Sequence, residues 1–474
     1  MDKNILHLRD DVFVYAGRTY MLDDFYTEEF YHYSNKWVKS HPLHEIYINI
    51  LYVKVIQNIL AIAFFLEGNN IRDIWAEASF DGQLLSFVQD AAEIAGAALN
   101  GKKVKKCTFC NWRARFILFF SKGYLFLKEG LIKQCARNLD FDKDVCVVRT
   151  AAARKKIKPS VTRELFCEDK CGEGSLYTYF SRKERRKALK KAYAEAKNQL
   201  DSIRKCMLEL RMENTLPVAL QLFSFRLVHI CFYAGIIERL LSLPWKGRFF
   251  SGNNLDSYAF VEEQAARKAQ ITTVCIPHGL EYGFLFPHCF TGNIFYATSV
   301  KAAEHLNQIY DTGKFVYDPD IAKEMFCMSV DVPIMRKVVY FSEPREPEVN
   351  AQIIGELLPE MKKRNIPLYL KRHPKDNPKE YDVFAQDIGV IEDLKEAVCG
   401  NICIARKSTV LLEGLYNNAA CAAIVTNEKD RAIFSMFPSL QDKRIKVFKD
   451  IPALIQWIED TWMQDGSGEF VDGK

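Results

Sequence analysis

Four signatures that would name a chemistry at once are missing from this sequence. There is no Walker loop, no Gly-x-Gly-x-x-Gly fingerprint, no His-Glu-x-x-His and no Gly-x-Ser-x-Gly. The chain has 14 cysteines without the dense, regular spacing of a secreted disulfide framework. No apolar run escapes interruption: the longest, from about His44 to Leu66, carries Glu45, Lys54 and Gln57, which a membrane span rarely tolerates. That stretch predicts a buried helix. Met1-Asp2-Lys3-Asn4 opens no apolar leader, so the expected compartment is a reducing cytoplasm. Strong charge is lacking too. A net charge of +5 and a pI near 8.4 favour anionic ligands, and basic and aromatic residues do not interleave on any one predicted sheet. No nucleic-acid partner is expected. There is no internal repeat and no low-complexity segment.

What is present is an ordinary folding composition, 49% hydrophobic and 26% charged, over 474 residues. That length exceeds one ordinary core and predicts two or three domains. Residues 1–155 alternate short strands with helices. Residues 156–245 change character: Ser181–Arg211 is helical by propensity and Pro217–Leu241 is an apolar helix, which predicts a helical insertion. Strand–helix alternation resumes from Arg248. It is most regular after residue 336, where strands at Lys337–Phe341, Pro367–Lys371, Asn401–Ala405 and Cys421–Val425 predict a parallel, doubly wound sheet. The expected division is 1–330 and 331–474.

Several stretches place chemistry at strand ends, where open α/β sheets bind ligands. Ile366–Leu370 is an apolar run. It is followed by Lys371-Arg372-His373-Pro374, and Pro374 and Pro378 forbid the strand from continuing. An imidazole with two cations can hold a phosphate, or the stretch is a surface turn. Roughly 35 residues on, Ala405-Arg406-Lys407-Ser408-Thr409 leads from a strand into a helix. Ser408 is a natural N-cap; the same helix start attracts anions, and Glu413 shares a face with Thr409. Ile276-Pro277-His278-Gly279 ends another strand, with Glu281 close behind. Either His278 or Glu281 can act as a base, or the loop is a structural turn. Asp81, in Ser79-Phe80-Asp81-Gly82, is a further acid at a strand end, equally explained by turn chemistry.

Cys107-x-x-Cys110 and Cys167-x-x-x-Cys171 are weighed as a zinc site and set aside for their uneven spacing, so no metal is expected. The aromatic segment Phe116–Leu131 and the basic run Arg182–Lys191 read either as a buried helix and a solvated face or as a contact with an anionic membrane.

Taken together, His373-Pro374 after a strand, Ser408-Thr409 opening a helix and His278-Gly279 ending an earlier strand resemble a group of bacterial GT-B-type transferases of surface polysaccharide assembly. That group includes sialyl- and polysialyltransferases, capsule Kdo transferases and teichoic-acid glycerophosphotransferases. The resemblance runs from about Arg248 to Phe448. It implies an α/β GT-B fold: two Rossmann-like domains facing a cleft, the amino domain carrying the helical insertion. It also implies metal-independent transfer, without a cofactor, of a sialic acid or Kdo-like sugar from a CMP-activated donor to a polysaccharide or lipid-linked glycan. His373 would then contact the donor phosphate with Lys371, Arg372 and Pro374 beside it, Ser408 and Thr409 would bind it from the helix start, and Glu413 would take the ribose. Two departures stand out: only Phe80-Asp81-Gly82 resembles the sialyltransferase acid-Gly motif, and Leu280 stands where the glycerophosphotransferases place Thr. Two rivals follow, a CDP-polyol phosphotransferase and a non-catalytic nucleotide-binding assembly protein.

Overall fold

The computed structural model describes residues 5–41, 55–104, 110–135, 138–149, 151–157, 163–168, 174–252, 257–277, 279–285, 292–328, 336–344 and 346–465. The chain divides into two compact units. The first comprises Met1–His278, Phe284–Tyr296 and Asn307–Val316; the second comprises Gly279–Gly283, Ala297–Leu306 and Tyr317–Lys474.

The first unit holds two sheets. One is built from β1 (Ile5–Arg9), β2 (Val12–Tyr15), β3 (Arg18–Tyr20), β4 (Asp73–Ala76) and β5 (Ala98–Gly101), in the order β3-β2-β1-β4-β5. Leu6 and Leu8 alternate inward on β1, as a half-buried strand requires. β2 returns antiparallel, with His7 opposite Val14, and β4 adds in parallel, with His7 opposite Trp75. Helices α1 (Glu28–Ser40), α2 (Gln57–Gly68) and α3 (Gly82–Ala95) accompany it. The stretch expected as one buried helix, from about His44 to Leu66, lies outside the described residues up to residue 54; its remainder forms α2, buried at Ile59, Leu60 and Ile62.

The other sheet of this unit has six parallel strands: β6 (Asp144–Val148), β7 (Arg163–Cys167), β8 (Phe249–Ser251), β9 (Thr273–Cys275), β10 (Ile294–Tyr296) and β11 (Phe315–Val316). Its order is β11-β10-β9-β8-β6-β7. Val145 to Val148 are all buried, as in a sheet covered on both faces. The associated helices are α4 (Cys110–Leu131), α5 (Ala151–Lys156), α6 (Arg182–Glu209), α7 (Leu216–Leu241) and α8 (Ser257–Lys268). The helical insertion expected over 156–245 is corrected in one respect: Arg163–Cys167 is the edge strand β7, in register with β6 through Val145 opposite Glu164. Its five residues, with half-buried Arg163 and Leu165 alternating with buried Glu164 and Phe166, are too few and too mixed in polarity to stand out from a helical background. Most of the described remainder of that span is the antiparallel pair α6 and α7. Ser181 and Glu184 form a capping box at the start of α6. Asp90 of α3 accepts from the backbone N–H groups of Asn214 (3.1 Å) and Thr215 (2.8 Å), which fixes the start of α7.

Arg185 joins α6 to α4. It is 1% exposed, its Nε lies 2.6 Å from Oε2 of the buried Glu129, and its terminal nitrogens donate to the carbonyls of Tyr177 (3.2 Å) and Ile132 (2.8 Å).

The second unit contains β12 (Val338–Phe341), β13 (Leu368–Lys371), β14 (Gly389–Val390), β15 (Ile402–Ala405), β16 (Ala420–Ile424) and β17 (Ile445–Phe448), all parallel. The order β14-β13-β12-β15-β16-β17 reads 3-2-1-4-5-6 when counted from its first strand. That is the order of dinucleotide-binding sheets, with its reversal between β12 and β15. Helices α9 (Val300–Tyr310) and α10 (Pro319–Phe326) precede this sheet, and α12 (Leu394–Val398), α13 (Val410–Leu415) and α14 (Glu428–Ser435) fall between its later strands. Val338, Tyr340, Ile402 and Ile404 lie in its core, against Ile354 and Leu357 of α11 (Pro347–Lys363) and Leu454 and Ile458 of α15 (Ile451–Asp465). The fold is therefore mixed α/β with two Rossmann-like parallel sheets, one in each unit.

Removing one member of a buried, hydrogen-bonded ion pair strands the other charge. Arg185→Leu should lower unfolding free energy by about 3–5 kcal/mol, read from urea denaturation. Glu129→Leu/Arg185→Leu together should recover much of that loss.

Candidate functional site

At the end of β13 the chain turns at His373-Pro374-Lys375-Asp376, and the turn is tied to β12. Ser342, directly after β12, donates its N–H to the Lys371 carbonyl (3.1 Å), and its hydroxyl donates to Asp376. The His373 N–H donates to that same hydroxyl oxygen at 3.0 Å. Tyr381 also reaches Asp376, at 3.3 Å, and its own pKa is pushed up to about 12, by burial first. The imidazole is oriented from within: the Lys375 N–H donates to His373 Nδ1 at 3.1 Å. Nδ1 is then the unprotonated nitrogen, and the ring proton sits on Nε2, available to an incoming acceptor. Burial lowers the pKa of His373, with Asp376 pulling the other way. At neutral pH the ring is therefore a neutral donor.

The cations of this turn part company. Arg372 forms an ion pair with Glu392 at 2.6 Å, beyond the edge strand β14, which turns it from the strand-order reversal. Sequence alone gave it no partner, because Glu392 is twenty residues away. Lys371 stays half-buried at the strand end.

The reversal itself holds a cluster that sequence reasoning passed over. Arg406, after β15, is fully buried. Its Nε and a terminal nitrogen grip Asp430 at 2.6 and 2.7 Å, and the terminal nitrogen also meets Glu346 at 2.5 Å. Lys407 joins Asp430 and lies 3.4 Å from Glu343, while its N–H donates to Glu343 at 2.6 Å. Lys429 closes on Glu346 at 2.8 Å. Three cations thus meet three carboxylates. Burial works against the charge on Glu346, but hydrogen bonds from Lys429 and Arg406 hold its pKa down at about 2. Glu346 also has a left-handed backbone, with φ of 56°, a strained state for a residue with a side chain. The cluster pins the loops after β12 and β15 together and balances its own charge. The Arg406-Lys407 dipeptide was visible in the sequence; its carboxylate partners, 24 and 60 residues away in the case of Arg406, were not.

Ser408 and Thr409 follow at once. The helix they open, α13 (Val410–Leu415), has only six residues, so the expected helix-dipole contribution is weak. The residue at the cap is Thr409, in helical conformation and without a side-chain cap; Ser408 is one position further out, with its hydroxyl 3.4 Å from the Val410 N–H. Glu413 is half-buried on that turn, and its carbonyl accepts from Asn417 at 2.7 Å.

The proposed bases fare differently. His278 lies outside the described residues. Glu281 is corrected: it is fully buried in the second unit and accepts from the Thr298 N–H and hydroxyl (both 2.6 Å) and from Ser439 (3.3 Å). Burial raises its pKa, against the Thr298 hydrogen bonds. A carboxylate satisfied by three donors is a tie between loops, not a base open to substrate. Asp81 is corrected as well. It is the N-cap of α3, accepting at 2.8 Å from both the Gln83 and Leu84 N–H groups, the usual use of such an acid.

The first unit has its own polar network where its parallel sheet reverses, between β6 and β8. Arg149 stacks over the Tyr258 ring, 3.1 Å from its centroid. The Tyr258 hydroxyl meets His229 Nδ1 at 2.7 Å, and Glu168 lies 3.4 Å from His229 Nε2. Nothing in the spacing of these four residues announces it. Of the four cysteines weighed as a zinc site, Cys107 and Cys171 lie outside the described residues. Among the described residues, no group of three or more His, Cys, Asp or Glu gathers as a metal site.

Comparison with known proteins adds little to this geometry. No family model and no curated protein matches the chain. A solved structure described as the S. aureus MnaA–UDP co-structure is similar at a TM-score of 0.36 and 10% identity, over 69% of this chain and 89% of that one. A likeness that distant carries no functional assignment.

Glu281→Ala should destabilise the protein by about 2–4 kcal/mol, since the Thr298 donors lose their acceptor in a buried site. Glu281→Gln copies the protonated acid. A raised folded pKa means wild-type stability is fullest below the unfolded value and falls as pH rises through the folded one. The glutamine variant should therefore gain on the wild type as pH rises above about 4 and lose that advantage below it, measured as the difference in urea midpoints.

Proposed function

We propose that this chain is a GT-B-type, metal-independent glycosyltransferase that moves a sugar from a CMP-activated donor to a surface-glycan acceptor. One observation carries the reading: the loops after β12, β13 and β15, flanking a 3-2-1-4-5-6 strand-order reversal, are joined by partly buried hydrogen bonds and an ion pair. Ligands of such sheets bind at that reversal. The Nε2–H of His373, with Lys371, is suited to hold the leaving phosphate. Ser408 and Thr409 add hydroxyl donors, and Glu413 takes the ribose. Stabilising charge as the donor bond breaks would fall to these donors, in place of a metal.

The sugar class and the cytidine base rest on the resemblance of His373-Pro374, Ser408-Thr409 and His278-Gly279 to the surface-polysaccharide transferases. With Glu281 and Asp81 committed elsewhere, His278 is left as the group to take the acceptor's proton. In a GT-B enzyme the acceptor would be held by the first unit.

A nucleotide that binds only the folded state raises its melting temperature. CMP and CDP should stabilise the protein, UDP and GDP should not, and His373→Ala should weaken CMP binding by about tenfold. His373→Gln, which keeps a donor near Nε2, should retain most of the affinity. Stabilisation by UDP or GDP alone would contradict the cytidine reading, and phosphodiester linkages in the product would replace glycosyl transfer with polyol-phosphate transfer.

A further inference from the structure

Helix α4 is apolar on two opposite sides. Ala114, Leu118, Leu125 and Ile132 are buried, and Arg185 anchors this side through Glu129. The sequence left open whether the Phe116–Leu131 aromatics are core, and the structure answers that they are not. Trp112, Phe116, Phe119, Phe120, Leu127 and Leu131 are 53–81% exposed. Their spacing follows the 3.6-residue period, so they form one stripe along the helix. So much contiguous exposed aromatic surface marks an interaction face.

Cations border the stripe. Arg113, Arg115 and Lys128 are exposed on α4. Arg182, Lys183, Arg186 and Lys187 are exposed on the first turns of α6. The two sets meet: Arg186 sits over the Phe126 ring (4.7 Å to its centroid), Lys128 over Tyr124 (4.8 Å), and a Cβ at Gly130 would lie 3.4 Å from the Arg182 guanidinium. Among the described residues, no acid pairs with Arg115, Arg182, Lys183, Arg186 or Lys187. Glu129, the lone acid of α4, is buried against Arg185, and Glu184 is engaged by Arg239 and Ser181. The surface therefore combines an aromatic stripe with unbalanced positive charge on its border.

We propose that α4 docks on an anionic lipid bilayer. The aromatic stripe enters the boundary between headgroups and acyl chains, and the Arg and Lys side chains reach lipid phosphates. The charge selects this occupant: a second copy of the same face would bring like-charged borders together. The helix lies on the membrane and does not cross it. α7 meets the length and hydropathy of a span, but 67% of its apolar window is buried inside the protein. This inference stands on the surface of α4 and does not depend on the donor reading.

The test is flotation of the full chain with vesicles of phosphatidylcholine, pure or containing about one-third phosphatidylglycerol. The protein should float with the anionic vesicles at least about tenfold more than with the neutral ones, with a blue shift of tryptophan emission. Phe119→Ser/Phe120→Ser/Leu127→Ser should lower binding by about tenfold or more with an unchanged melting temperature, because these side chains are exposed. Arg182→Gln/Arg186→Gln/Lys187→Gln should abolish the preference for anionic vesicles. Wild-type protein that stays below both vesicle types would overturn the proposal. So would a triple-serine variant that floats like the wild type. A dimer in sedimentation velocity that the serine variant dissolves, without vesicle binding by the wild type, would assign the face to a second copy.

Discussion

A guanidinium with no solvent exposure has to be paid for by its neighbours, and at Arg406 those neighbours define the site. Asp430 takes it at two oxygens and Glu346 at a third. An ion held this way contributes little net stability, but losing either partner leaves a buried charge. Such a pair acts as a constraint on geometry. The loops after β12 and β15 must approach closely enough to close it, and the loop after β13 follows through Ser342. The strained backbone of Glu346 marks the position where that closure forces the chain into a conformation its side chain disfavours.

The cluster also changes what the basic residues mean. Arg372, Arg406 and Lys407 look alike in a sequence, as cations near strand ends. In the fold Arg372 belongs to Glu392, and Arg406 and Lys407 belong to three carboxylates. The group left with an oriented proton is a neutral imidazole, His373. That suits an anion that must be released after reaction, since a neutral donor holds it less strongly than a fixed cation.

The parallel sheet of the second unit was legible because its strands are short apolar runs separated by helical patterns, and the prolines after Lys371 ended one strand unmistakably. The histidine turn was legible for the same reason. The edge strand β7 was not, since five residues that open with two charges, one of them (Glu164) buried in the fold, carry little periodic signal. The role of Glu281 was hidden because its donors, Thr298 and Ser439, come from distant parts of the chain. Asp81 before Gly82 fits a cap as well as a base, and only the hydrogen bonds from Gln83 and Leu84 decide it. The aromatic face of α4 shows the limit of composition: Phe at helical spacing reads as core or as a membrane contact alike, and only the fold shows a second apolar stripe on the side away from the core.

The account stands on the strand-order reversal of the second unit being the place where a nucleotide's phosphates bind. Hydrogen–deuterium exchange with and without saturating CMP tests this most directly. Slowed exchange concentrated at Ser342–Pro344, Lys371–Asp376 and Ala405–Glu413 is the result expected. Protection that misses these three segments while CMP is bound would contradict the account.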